Sequence, residues 1–295
     1  MLSGSMVALV TPMHSDGAID VSRLRNLIDF HIEAGTEGLI IAGTTGESAT
    51  LDHQEHVELI ALACEIATER CPIIAGTGSN STAQTMKLSQ TVDKLPVAGF
   101  LLVTPYYNKP TQEGMFQHFS AVADAVRAPV ILYNVPARTG VDLSPDTVIR
   151  LSAHANIVGV KEATGELDRV ATIRDGAGPG FSLLSGDDAT ASEFMLRGGD
   201  GVISVTANVA PKAMRQLCDE ARAGHRSEAL RVDADLQGLH RTLFLESNPI
   251  PVKWAVRRMG LIGDGIRLPL TEFSPQHHLE VFNAMSQAGI DVDRS

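Results

Sequence analysis

The chain has 295 residues, 44% of them hydrophobic and 20% charged, an ordinary globular composition that excludes fibres and disorder. That length allows one large domain or two ordinary ones. A net charge of -11 argues against nucleic acid and anionic membranes as partners, because phosphate recognition needs clustered cations, although a local pocket can still capture a small anion.

The N-terminal stretch MLSGSMVALVTPMHSDG holds an apolar run too short for a secretory signal, with no basic residue before it. No run reaches the roughly 18 to 20 apolar residues of a membrane span. The three cysteines, Cys64, Cys71 and Cys218, lack metal-ligand spacing, and an odd count fits reduced thiols. A cytoplasmic location is expected. Without a secretory signal, the glycosylation pattern at Asn80-Ser81-Thr82 carries no role.

Short apolar runs then recur at residues 6–10, 38–43, 72–78, 99–105, 129–136, 157–161, 181–186 and 201–206. Each is continuous rather than alternating, as expected of strands covered on both faces. Segments of helical period separate them, among them 21–35, 53–69 and 113–126. Asp52 with Glu55 makes a capping box, Gly35 a stop, and Ser144-Pro145 a helix start with proline in its first position. Eight strands alternating with eight helical segments predict a (β/α)8 TIM barrel over residues 1–225. The alternative, a doubly wound open sheet, is disfavoured because no G-x-G-x-x-G follows the first strand. Residues 226–295 hold about three helical segments and no strand, and read as a helical appendix packed on the barrel.

The chemistry of a barrel sits at the C-terminal ends of its strands. Here those ends carry Thr44 and Thr45 in GTTGES, Tyr106 and Tyr107 in PYYNKP, Tyr133 and then Arg138 in YNVPARTG, Lys161 in GVKEATG, and Gly186-Asp187 in LSGDDA. This set of hydroxyls, phenols, one arginine and one lysine calls for no metal. Lys161 ends an apolar run, where desolvation lowers an amine's pKa and frees it to attack a carbonyl. Glu162 cannot neutralise it, because adjacent strand residues point to opposite faces. A strand-end lysine paired with a loop carboxylate is the plain alternative, outweighed by the tyrosines and hydroxyls converging at the same level. GTTGES is either a tight turn or a cradle for a small anion. Tyr133 is either a core residue or a proton shuttle, and Arg138 either a solvated loop residue or a carboxylate clamp. His53 and His56 share a helix face but lack a third ligand, which favours a polar rim or effector contact.

Taken together, GTTGES, PYYNKP, YNVPARTG, GVKEATG, LSGDDA and GGDGVISVTANVAP closely resemble the 4-hydroxy-tetrahydrodipicolinate synthase (dihydrodipicolinate synthase) family. The wider group of pyruvate-dependent class I aldolases includes N-acetylneuraminate lyase. The resemblance spans nearly the whole chain. It implies a lyase of lysine (diaminopimelate) biosynthesis in which Lys161 forms a Schiff base with pyruvate and the enamine attacks L-aspartate 4-semialdehyde. No cofactor is implied beyond that covalent imine. Thr44 and Thr45 would hold the pyruvate carboxylate, and Tyr133, Thr44 and Tyr107 would relay protons, Tyr107 coming from a neighbouring subunit. Arg138 would clamp the second substrate, and Gly186 and Ile203 would give main-chain contacts near the lysine.

The resemblance also implies a tetramer of two tight dimers, with Asp168 and Arg197 at the smaller contact. Residues matching an L-lysine effector site are Ser48, Ala49, His53, His56, Asn80, Gln84 and Tyr106. Gln84 departs from the glutamate of inhibited relatives, so weak or absent feedback is expected.

Three other readings compete. A sibling aldolase cleaving N-acetylneuraminate or a keto-deoxy sugar acid would share Lys161 and Tyr133, but Arg138 with Tyr107 suits a small charged aldehyde better. A phosphosugar isomerase would place a phosphate where Asp187 and Asp188 repel it. A non-catalytic sensor would have no use for the complete lysine, tyrosine and threonine set.

Overall fold

The computed structural model describes residues 2–290 and 292; positions 1, 291 and 293–295, at the outer ends of the two expected regions, lie outside the described residues. The apolar runs form eight parallel strands closed in chain order into one barrel. They are β1 (Gly4–Ala8), β2 (Gly38–Ile41), β3 (Ile73–Gly76), β4 (Gly99–Val103), β5 (Val130–Asn134), β6 (Ile157–Glu162), β7 (Ser182–Ser185) and β8 (Gly201–Ser204). Pairing of β8 with β1, Ser5 opposite Val202, closes the sheet. No edge is left, so the open-sheet alternative is excluded.

The largest shift from expectation is in the first strand, expected at 6–10 and found at Gly4–Ala8. Leu9 and Val10 are buried just past the strand: the Leu9 amide still donates to the Ile40 carbonyl of β2 at 3.1 Å, but the Val10 amide donates to Asn208 Oδ1 instead of to a strand.

Alternation along each strand sorts its side chains into two cores. Met6, Ile40, Ile74, Leu101, Ile131, Leu184 and Ile203 fill the barrel interior. Val7, Leu39, Phe100, Leu132, Val160 and Val202 face the helices. The expected helix signals operate: Asp52 and Glu55 cap the helix His53–Ala67 reciprocally, and Ser144 Oγ accepts from the Thr147 amide at 3.3 Å. The C-terminal helices are Arg226–Thr242, Ile250–Arg258 and His278–Gln287. The first of them packs on Pro211–Arg222, the helix that follows β8. The connection after it passes over the barrel mouth, where Phe244 and Asn248 reach a cavity.

Candidate active site

A cavity of about 210 Å³ opens at the C-terminal ends of the strands. Thr44, Thr45, Tyr133, Arg138, Lys161 and Gly186 line it together, although the sequence spreads them over more than half of the barrel.

Register places the lysine. Lys161 of β6 pairs with Tyr133 of β5, and the two side chains share the barrel interior. Its Nζ lies 4.3 Å from the centre of the Tyr133 ring, and the residue is 4% exposed. Burial pulls the Lys161 pKa down to about 8, against the pull of the Asp188 carboxylate, while the Arg138 charge lowers it further. Asp188 is held elsewhere, since its Oδ2 accepts from the Val205 and Thr206 amides at 2.8 and 2.9 Å. Among the described residues Lys161 has no salt bridge. Gly186 gives it room: a Cβ there would stand 2.8 Å from Lys161 Cε.

Glu162 lies on the helix side, as strand alternation requires. It accepts from Asn134 Nδ2 at 3.2 Å and the Thr164 amide at 2.9 Å, with Arg169 at 3.7 Å. It is therefore no counter-ion for the lysine.

Tyr133 is hydrogen-bonded to Thr44, and burial pushes its phenol up to about 12 against the Arg138 charge and that bond. A phenol held neutral beside a hydroxyl can pass a proton without carrying charge. Thr45 is 2% exposed and accepts from Asn248 Nδ2 at 3.0 Å. The turn holding both threonines ends at Glu47, whose φ of +58° is left-handed, a costly conformation for a side chain with a Cβ. Glu47 is buried and paired with Lys253, and it also accepts from the Arg267 amide at 3.1 Å. One C-terminal helix, through Lys253, and the segment after it, through Arg267, thus pin the turn.

Arg138, expected on a loop, sits on the single-turn helix Pro136–Thr139. Proline at its first position presets that turn. Its Nη2 donates to the Asn248 carbonyl at 3.2 Å. Two expected residues lie apart from this cavity. Ile203 belongs to the interior cluster rather than the cavity wall. Tyr107 is 88% exposed, with φ +74°, and its amide donates to the Thr139 carbonyl at 3.2 Å.

A second, adjoining cavity of about 590 Å³ is lined by Ser48, Ala49, His53, His56, Gln84 and Tyr106, and shares Thr44 and Arg138 with the first. Asn80 is not in its wall; the Asn80 carbonyl accepts from Asn108 Nδ2 at 2.9 Å. His56 Nε2 is 2.7 Å from the Gly76 carbonyl, so that nitrogen carries the proton, and burial lowers the ring's pKa. Lys87 also lines this cavity.

Sequence reasoning missed Asn248, Phe244 and the Glu47–Lys253 pair. For Lys253 a signal exists: Ile250, Lys253 and Val256 recur every third residue of one helix, and all three are buried.

A model of the dihydrodipicolinate synthetase family matches residues 1–288. The 4-hydroxy-tetrahydrodipicolinate synthase of Azoarcus sp. is 55% identical over 292 residues, covering 99% of this chain and 100% of that one. The protein of the same name from Methylococcus capsulatus is 56% identical over 290 residues, covering 98% of this chain and 100% of its own length. Among solved structures, the chloride-inhibited dihydrodipicolinate synthase of Acinetobacter baumannii in complex with pyruvate superposes with a TM-score of 0.97 at 51% identity, covering 99% of this chain and 100% of that one. The chain belongs to the dihydrodipicolinate synthetase family.

Proposed function

We infer that this chain is a carbon–carbon bond-forming lyase that condenses pyruvate with L-aspartate 4-semialdehyde to 4-hydroxy-tetrahydrodipicolinate, in lysine (diaminopimelate) biosynthesis. The observation that carries the reading is Lys161, a buried amine without an ion-pair partner among the described residues, over the Tyr133 ring and beside the Thr44–Thr45 turn.

Pyruvate lies with its carboxylate on Thr44 and Thr45, and Lys161 Nζ adds to its keto carbon. The carbinolamine hydroxyl takes a proton and leaves as water, forming the imine. A methyl proton then departs and gives an enamine, whose terminal carbon bonds to the aldehyde carbon while the aldehyde oxygen gains a proton. The amino nitrogen of the adduct attacks the imine carbon, which closes the ring and frees Lys161. Tyr133 and Thr44 carry the protons, and Arg138 binds the carboxylate of the semialdehyde as a charged clamp. Gly186 and Ile203 supply main-chain contacts on the lysine side. No cofactor takes part.

Tyr107 completes the relay from a neighbouring subunit, within a tetramer of two tight dimers. Its exposure outside its own cavity supports that arrangement. Arg197 donates to Asp168 at 3.2 Å in the same chain, so those charges already have a partner at the smaller contact. The second cavity is the L-lysine effector site, and its affinity is low: Gln84 offers no charge to an ammonium, and Lys87 repels one. The setting is cytoplasmic.

The deciding experiment offers the purified protein pyruvate with aspartate semialdehyde and, separately, N-acetylneuraminate or a keto-deoxy sugar acid. Condensation with the first and no cleavage of the others is expected. Cleavage of a sugar acid without condensation would overturn the reading.

A further inference from the structure

Asn248 sits in the connection between two C-terminal helices, more than 200 positions from the threonine it touches, and is 6% exposed. Its Nδ2 donates to Thr45 Oγ1 at 3.0 Å, and its main-chain carbonyl accepts from Arg138 Nη2 at 3.2 Å. A hydroxyl has one proton and two lone pairs, and an amide N–H can only donate. Thr45 must therefore turn its own proton away from Asn248. Thr45 lines the cavity, and among the described residues its hydroxyl has no other hydrogen-bond partner. The direction left to that proton is toward whatever occupies the cavity.

The rest of the Asn248 side chain argues against a packing role. Among the described residues its buried Oδ1 has no partner, an unfavourable state that a leucine of similar volume would avoid. We infer that Asn248 is a positioning residue for the pyruvate carboxylate: its Nδ2 fixes the Thr45 hydroxyl as a donor into the cavity. The inference rests on reading Thr45 as part of the carboxylate cradle. It also separates the two carboxylate pockets, because Arg138 is held through main chain, which a side-chain substitution leaves in place.

The test is a double-mutant cycle on the full-length enzyme with Asn248→Leu and Thr45→Val. It measures KM for pyruvate, KM for the semialdehyde, kcat and borohydride trapping of pyruvate. Asn248→Leu should raise KM for pyruvate about tenfold, the worth of one oriented hydrogen bond to a carboxylate, and leave KM for the semialdehyde within about twofold. In the Thr45→Val background, adding Asn248→Leu should change KM for pyruvate by less than about twofold. Asn248→Asp keeps the shape but can only accept, so it draws the Thr45 proton away and should weaken trapping more than Thr45→Val does. Additive losses, equal rises in both KM values, or an Asn248→Asp variant that binds pyruvate normally would overturn the assignment. If the unsubstituted protein traps no pyruvate, the cradle reading itself falls, an outcome distinct from additive losses in a protein that traps normally.

Discussion

Lys161 and Lys253 are each 4% exposed, yet their surroundings assign them opposite tasks. Lys253 meets the Glu47 carboxylate inside the protein. Burial pulls its pKa down and the carboxylate opposes that shift, and the pair anchors the turn. Lys161 has the face of a neutral phenol ring instead, and Asp188, whose charge opposes the shift, is engaged by two amides. With a pKa of about 8, about a tenth of it is neutral at pH 7, against one part in thousands for an ordinary lysine. On the proposed reading, what separates the nucleophile Lys161 from Lys253 is not burial but the lack of an ion-pair partner among the described residues.

The widest separation should come from truncating each lysine. Lys161→Met should lose imine trapping and condensation by at least about 10⁴-fold, while its thermal midpoint holds or rises, since a buried unpaired amine is removed. Lys253→Met leaves Glu47 buried and uncompensated, which costs about 3–5 kcal/mol and lowers the midpoint by roughly 10 °C, seen by calorimetry. Its folded fraction should still trap pyruvate. An equal fall in midpoint for both variants would erase the distinction.

Arg138→Ala should remove about 2 to 3 kcal/mol from semialdehyde binding, read as KM, and leave pyruvate trapping nearly intact. Lost trapping with an unchanged KM for the semialdehyde would mean that the two pockets are reversed.

The pH dependence follows from the lowered Lys161 pKa. Imine formation should rise about tenfold per unit below pH 8, bend near pH 8 and flatten above it, as single-turnover trapping would show. The same group binds more protons unfolded than folded between about pH 8 and 10.5. Its contribution to stability therefore rises with pH across that window, and Lys161→Met should remove the rise. A bend near pH 10.5 would mean that the amine is not desolvated.

The smallest expected effect lies in the second cavity. Gln84→Glu should strengthen inhibition by L-lysine roughly tenfold, from a weak or absent starting level. Submillimolar inhibition of the unsubstituted chain would show that position 84 is not the determinant.

The barrel was legible because strands buried on both faces must be continuously apolar, and the residues at their ends then name the mouth. That rule placed Lys161, Tyr133, Thr44 and Thr45 at the mouth, while the roles of the tyrosine and the threonines came from the family likeness. Arg138 was legible as a residue but not as part of a helix, because PART is a single turn, too short for periodicity to register. Asn248 and Lys253 were not legible as site neighbours. Their partners Thr45 and Glu47 lie 203 and 206 positions away, and contacts between the appendix and the barrel leave no local pattern. Tyr107 was legible as a strand-end residue, but its role toward a neighbouring subunit only through the family likeness, since exposure of a loop tyrosine depends on what surrounds it.

The central claim is that Lys161, and not another lysine, is the reactive amine. Pyruvate with borohydride, followed by peptide mapping, tests it most directly. One reduced pyruvyl group on Lys161, within IVGVKEATG, is the expected result. Label on Lys253, Lys109 or Lys212, or no label at all, would contradict it.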